Sequence, residues 1–269
     1  MKMPLRSLAA MLVLAPALGS ADDGFSMSIG AHHSSGDYGG DTRTDITTVP
    51  VTAAFNAGRW SLTASLPWLR VAGDPNVLPG TGPVLNLNPL GRGRISLAPL
   101  EPDGDFGRTS GSASGVGDLT LRAGYALPTR GPVAAEIAVT AKVATADEDK
   151  GLGTGANDYG VSLDLAREVG TATLFGGISH LRQGETAFVG GGDTLGANAG
   201  ARWRAGNGQL GLAYDFRESA SPAFEDRREI TASYSVTGAR DSNLQVYGLA
   251  GLSDGSPDWG AGVSYGWRF

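Results

Sequence analysis

The chain has 269 residues with 42 glycines, 14 prolines, no cysteine and a formal charge of −6. Glycine and proline together fill about a fifth of the positions, against a usual share of about 12%, which argues against a helical bundle. Without cysteine there is no disulfide framework, thiolate metal site or lipid-modified N-terminal cysteine, and the acidic balance argues against nucleic acid, whose phosphates need clustered Lys and Arg.

Residues 1–21 read as a secretory signal peptide. Lys2 and Arg6 supply the charged start, Ser7 to Leu18 the apolar stretch, and Gly19-Ser20-Ala21 a small-residue cleavage site. The mature chain then begins at Asp22 and carries 19 cations against 27 anions. Pro16 and the shortness of the apolar run weigh against a permanent membrane helix, which needs about 20 apolar residues.

From Asp22 onward the main signal is period-two alternation, which places every second side chain on one face of a strand. Trp60, Leu62, Ala64, Leu66 and Trp68 share one parity, with Ser61, Thr63 and Ser65 on the other. Leu119, Leu121, Ala123, Tyr125 and Leu127 alternate in the same way with Asp118, Thr120, Arg122 and Gly124. The pattern predicts about twelve strands near 24–34, 43–55, 60–71, 116–127, 133–145, 158–167, 171–182, 194–204, 210–217, 228–236, 243–252 and 259–269. The seventh and eleventh alternate least cleanly. Short connections (56–59, 128–132, 168–170, 205–209, 237–242) take turns with mostly longer ones (35–42, 72–115, 146–157, 183–193, 218–227, 253–258). An even strand count, with short turns on one edge and long loops on the other, is the pattern of an antiparallel transmembrane β-barrel of the bacterial outer membrane.

A soluble β-sandwich would also alternate, but gives no reason for loop length to alternate between edges. The aromatic residues separate the two. Trp60, Trp68, Trp203, Trp259 and Trp267 sit near strand ends on the apolar parity, joined by Phe55, Tyr159 and Phe216, as girdles at two lipid–water boundaries require. The chain closes on Val263-Ser264-Tyr265-Gly266-Trp267-Arg268-Phe269, which looks like the terminal strand signal read by the barrel assembly machinery. An open edge in hydrocarbon would leave backbone groups unpaired, so the last strand must pair with the first.

Two stretches go beyond a generic barrel. Ser65-Leu66-Pro67-Trp68-Leu69-Arg70-Val71, a long loop, and then Ser114-Gly115-Val116-Gly117-Asp118-Leu119-Thr120-Leu121 resemble the signature of the outer-membrane family named for the MetA pathway of phenol degradation. Lys142-Val143-Ala144-Thr145, Lys150-Gly151-Leu152-Gly153-Thr154-Gly155 and Asp158-Tyr159 resemble that family's following segment, with Ala144 and Ala146 where the family usually has Pro and Gly. The resemblance implies a porin-like barrel that transports small, often aromatic or hydrophobic, compounds.

The polar parity carries Asp118, Arg122, Glu136, Lys142, Asp158, Asp164, Arg202, Arg204, Asp215, Arg217, Glu229 and Arg268. Facing lipid at mid-depth, an Arg or Lys would cost about 2–4 kcal/mol, so these groups should face an interior. One reading is a hydrated pore lined by Asp118, Arg122, Glu136, Lys142, Asp164, Arg202, Asp215 and Arg217, in which Arg122, Glu136, Asp164, Arg202 and Asp215, nearer mid-strand, set ionic selectivity. The other is that opposite charges pair across the lumen and fill it. Connection 72–115, at 44 residues, far exceeds the usual length of about 4–6. Its Val84–Leu87 and Ile95–Ala98 runs could extend a hairpin or fold inward, but its Gly, Pro and Asp favour a surface loop.

Gly151, Gly153 and Gly155 precede a strand, not a helix, with no Lys-Ser/Thr after them, so they do not cradle phosphate. Asp147, Glu148 and Asp149 lack the calcium-loop register. His32, His33, Ser34 and Ser35 raise an outer-membrane lipid hydrolase, with His33 and Ser35 on one face and Asp45 on the next strand. No further nucleophile signature accompanies them, and His180 has no assigned face.

These readings combine into one barrel over residues 22–269, both termini periplasmic, acting as a channel for passive or facilitated diffusion of a small solute and not as an enzyme. No catalytic residue, metal ligand or cofactor is assigned. The expected partners are outer-membrane lipid, the barrel assembly machinery through Phe269, and a small-molecule solute, with no nucleic acid. A barrel with a blocked lumen, serving as a structural or surface-interaction protein, is the alternative.

Overall fold

The computed structural model describes residues 23–84, 111–187 and 189–269. The expected signal peptide and the Ile95–Ala98 run lie outside them. Antiparallel strands β1 (Gly24–Gly36), β2 (Thr44–Ala57) and β3 (Trp60–Gly73) begin the wall. A two-stranded hairpin follows, β4 (Val77–Leu78) with β5 (Gly82–Pro83). β6 (Gly111–Val116) and β7 (Leu119–Ala126) both pair with β3 and act as one interrupted strand. β8 (Val133–Val143), β9 (Asp158–Val169), β10 (Ala172–Gln183), β11 (Gly192–Ala205), β12 (Gly208–Arg217), β13 (Arg227–Thr237), β14 (Asn243–Gly251) and β15 (Trp259–Arg268) complete it. β15 pairs with β1 from Ser26↔Arg268 to Ser35↔Trp259, which closes a barrel of twelve strands. Strand ends fall within a few residues of those expected, except that the fourth begins earlier.

Burial is inverted relative to a soluble protein. Trp60 is 55% exposed, Val139 58% and Ile178 63%, whereas Ser65 and Asp164 are each 4% exposed and Glu229 1%. Apolar side chains therefore point away from the barrel and polar ones into it, the arrangement that hydrocarbon outside and polar groups inside would select. Outside, Ala53, Ala64, Ala123 and Ala141 floor a concavity of about 710 Å³ rimmed by Phe55, Leu62, Val139 and Tyr159.

Three of the short turns hold two residues and open with a glycine at positive φ, Gly58 (59°), Gly170 (62°) and Gly206 (58°), which suits the twist of a tight hairpin. The break between β6 and β7 is a β-bulge. Trp68 faces Val116 and Ser65 faces Thr120, so three residues of the interrupted strand oppose Leu66 and Pro67. Gly117 donates its N–H to the Pro67 carbonyl at 2.8 Å. Odd-numbered residues point inward before the bulge and even-numbered ones after it, which brings Asp118, Thr120 and Arg122 inside.

Candidate functional site: the barrel lumen

At the long-loop end, three connections turn into the barrel. Tyr38 from 37–43, Val77 from the hairpin after β3, and Leu152 from 144–157 pack with Ile46, Leu69 and Val71 of β2 and β3 into one buried apolar cluster. Leu78 (0% exposed), Val84 and Val189 form a second. Residues 74–84 are therefore not the surface loop that their composition suggested; the buried side chains of Val77, Leu78 and Val84 outweigh the Gly, Pro and Asp around them. The Thr44 hydroxyl accepts the Asp74 N–H at 2.9 Å at the root. At the tip, the Gly80 carbonyl accepts a hydrogen bond from Arg217 Nη1 at 3.4 Å. Arg217 lies on β12, six strand steps from β3 in either direction round the wall, so the hairpin spans the mouth. Burial pushes the Tyr38 phenol above its ordinary pKa, and this residue holds a left-handed φ of 52°.

The motif residues assemble beside this plug. Asp118 Oδ1 accepts the N–H groups of Thr145 and Ala146 at 3.1 and 3.0 Å, while Thr145 Oγ1 accepts the Leu119 N–H and donates to the Gly117 carbonyl, each at 2.9 Å. Lys142 Nζ stands 2.8 Å from Asp158 and 3.5 Å from Asp118 and donates to Thr154 Oγ1 at 2.9 Å. Asp158 also accepts the Gly184 N–H at 3.0 Å. Asp118 and Lys142 thus face inward, and together they clamp loop 144–157 so that Leu152 enters the cluster.

Nearer the short turns lies a different arrangement. Arg122 Nη2 approaches Glu136 at 2.6 Å and Asp164 at 3.3 Å, and Ser162 donates to Asp164 at 3.0 Å. Counted from the short-turn end, Arg122 is the fifth residue of β7, Glu136 the fourth of β8 and Asp164 the sixth of β9. Phe175 is the fourth of β10, Arg202 the fourth of β11 and Tyr247 the fifth of β14. At about 3.3 Å per residue they share one level of the lumen. The Arg202 guanidinium lies 5.2 Å from the Phe175 ring centroid, and Phe175 packs on Ala166 and Ala213. The Tyr247 hydroxyl meets His32 Nδ1 at 3.1 Å, their ring planes 12° apart. Glycines make room for both rings. A Cβ at Gly200 would collide with Phe175 and one at Gly262 with Tyr247, so each ring lies along the wall.

Higher up, Asp215 and Arg217 of β12 face Glu229 and Arg227 of β13. Arg227 grips Glu229 with two hydrogen bonds, at 2.6 and 2.9 Å. The structure therefore brings Arg122, Glu136 and Asp164 together, groups Asp118 with Lys142, and groups Asp215 with Arg217. It leaves Arg202 apart. Phe175, Tyr247, His32 and Arg227 also face inward and were not among the expected lining residues. A signal for two of them was present, since Phe175 and Tyr247 lie on the two strands whose alternation is least clean. A ring on the polar parity is what blurs the pattern.

The histidine–serine candidates do not form a relay. His33 faces outward, its Nδ1 3.0 Å from Thr47 Oγ1 and its Nε2 3.9 Å from Asp45, and its ring meets Trp259. Ser35 Oγ accepts a hydrogen bond from Arg43 Nε at 2.7 Å instead. His180 faces outward as well, with Nε2 3.8 Å from Asp193.

No family model matches the chain, and no curated protein matches it by sequence. Among solved structures it is similar to the COG4313 outer membrane channel from Pseudomonas putida F1, with a TM-score of 0.64 at 15% identity over 92% of this chain and 96% of that one. It is also similar to the translocator domain of the autotransporter NalP from Neisseria meningitidis, with a TM-score of 0.50 at 14% identity over 94% and 91%. One is called a channel and the other a translocator domain, so the likeness identifies the architecture: the chain has the fold of an outer-membrane β-barrel.

Proposed function

We propose that the chain is a bacterial outer-membrane channel for passive or facilitated diffusion of a small solute, with its short turns and both termini on the periplasmic side. The carrying observation is the inverted burial, a wall apolar outside and lined inside by Arg122, Glu136, Asp164, Arg202 and Asp215. Such groups need water or partners, and a hydrated passage supplies the water. The resemblance to the MetA-pathway family supports aromatic or hydrophobic solutes as cargo. It gains weight because the shared motif residues Asp118, Lys142, Thr145 and Asp158 meet in one cluster. Phe269, whose N–H donates to the Phe25 carbonyl at 2.9 Å, serves on this reading as the terminal signal for barrel assembly. No catalytic role is assigned to His33, which meets Thr47 and Trp259, or to Ser35, which meets Arg43.

One observation favours the blocked-lumen reading: the apolar cluster at the mouth, with a hairpin spanning it. Planar-bilayer conductance decides between the two. The channel reading expects discrete conductance steps from the purified protein, larger ones when residues 76–82 are replaced by a short Gly-Ser link. Silence from both proteins, each shown to be folded, would leave the structural barrel.

A further inference from the structure

The arginines that face the lumen are not equivalent. Arg122 is held by Glu136 and Asp164, and Arg227 by Glu229. Arg202 makes no ion pair and no side-chain hydrogen bond among the described residues. The inward carboxylate closest to it along the pairing row is Glu168, which faces Thr173, which in turn faces Arg202. That places Glu168 two strand spacings away, roughly 9–10 Å.

The placement of Arg202 is nonetheless well defined. A Cβ at Gly211 would lie 3.5 Å from Arg202 Cγ, so the stem runs along bare backbone. The guanidinium sits against the Phe175 ring, and that ring is fixed by Ala166, Ala213 and the space over Gly200. A ring face can attract the charge, but it accepts none of the five N–H donors, which lie in the guanidinium plane. Those donors form a planar fork that fits a carboxylate through two parallel hydrogen bonds, and the fixed ring lowers the ordering cost of meeting one.

We infer that Arg202, positioned by Phe175, is a recognition site for the carboxylate of a small organic anion passing through the lumen. This deepens the channel reading and rests on it. Arg122 does not share the role, because its charge is already taken by two carboxylates.

The test uses the purified full-length barrel in planar bilayers, with reversal potentials measured under gradients of sodium benzoate and of benzylammonium chloride, two ions with the same ring and opposite charge. Wild type is expected to favour benzoate. Arg202→Met keeps a stem along Gly211 and over Phe175 but removes the fork. It should lower the benzoate-to-benzylammonium permeability ratio by about tenfold, the order of one hydrogen bond to a charged group. Arg202→Lys, a point charge without the fork, should fall between. A wild type that favours benzylammonium, or an Arg202→Met ratio equal to wild type, overturns the assignment while leaving the channel standing. If wild type and the 76–82 replacement both pass neither ion nor any salt, the channel reading falls and this site falls with it.

Discussion

The two halves of the lumen are built from the same alternating strands yet reach opposite solutions. At the long-loop end, apolar side chains from three connections meet inside the barrel, and charges such as Lys142 are consumed in holding those connections down. Toward the short turns no loop enters among the described residues. The wall there carries its own furniture, the Arg122–Glu136–Asp164 triad, Phe175 beneath Arg202, and Tyr247 beside His32. The strands determine that an interior exists, and the loops determine what becomes of it.

The largest effect should come from breaking the lower half. Arg122→Met leaves Glu136 and Asp164, both buried, facing each other without their shared cation. Removing one partner of a buried ion pair costs about 3–5 kcal/mol. Urea unfolding in lipid vesicles should show that loss at pH 8, and adding Glu136→Gln should recover part of it. A loss under 1 kcal/mol would mean that water already solvates the carboxylates, and that the lower lumen is wetter than the contacts imply.

That triad also shows what a sequence can and cannot reveal. Parity placed Arg122, Glu136 and Asp164 on the inner face, because a charge on the lipid side is so costly that face assignment is nearly forced. Which charge meets which depends on register between strands, and register is set by turns and by the bulge at Gly117-Asp118. The 65–71 and 114–121 segments were recognisable as a motif, but that one of them is a bulge became visible only when Trp68 was paired with Val116 and Ser65 with Thr120. The hairpin at 74–84 went the other way. Its composition reads as a surface loop, and only the apolar socket offered by Tyr38, Ile46, Leu69, Val71 and Leu152 explains its burial. A socket made from four separated segments leaves no local trace.

The upper half can be probed through that socket. Val77→Ser replaces a side chain 2% exposed with a small hydroxyl, and large-to-small changes at such sites cost about 2–3 kcal/mol. If the hairpin is an independent insert, the cost should appear as faster proteolysis at 74–84 and larger conductance, with the barrel's urea midpoint little changed. Equal shifts in both would show that the plug and the wall unfold as one unit.

A smaller effect is expected at the clamp. Asp118→Ala strips the acceptor from the Thr145 and Ala146 N–H groups and one of two carboxylates from Lys142. Because Asp158 remains 2.8 Å from Lys142, the cation keeps a partner, and the cost is that of unsatisfied amides, about 1–3 kcal/mol. Hydrogen exchange should rise at residues 145–152 while the amides of β8 and β9 stay protected.

Two lysines, one at the root of this loop and one within it, give the finest comparison. Lys142 has a side chain 17% exposed between Asp118 and Asp158, whereas Lys150, 58% exposed, meets Asp147 at 2.7 Å near the top of the loop. The Lys150 contact is the shorter of the two closest pairs, but distance is the wrong guide. Water competes for both of its charges, and exposed pairs contribute about 0–1 kcal/mol. Lys150→Met should therefore leave the urea midpoint and conductance almost unchanged, and what little difference appears should vanish in 1 M salt, where screening acts within about 3 Å. Lys142→Met should lower the midpoint clearly and resist the same salt, because its carboxylates are shielded inside the barrel mouth. Should the two substitutions behave alike, the mouth is as wet as the loop surface, and the distinction between a plugged upper lumen and a polar lower one would have to be given up.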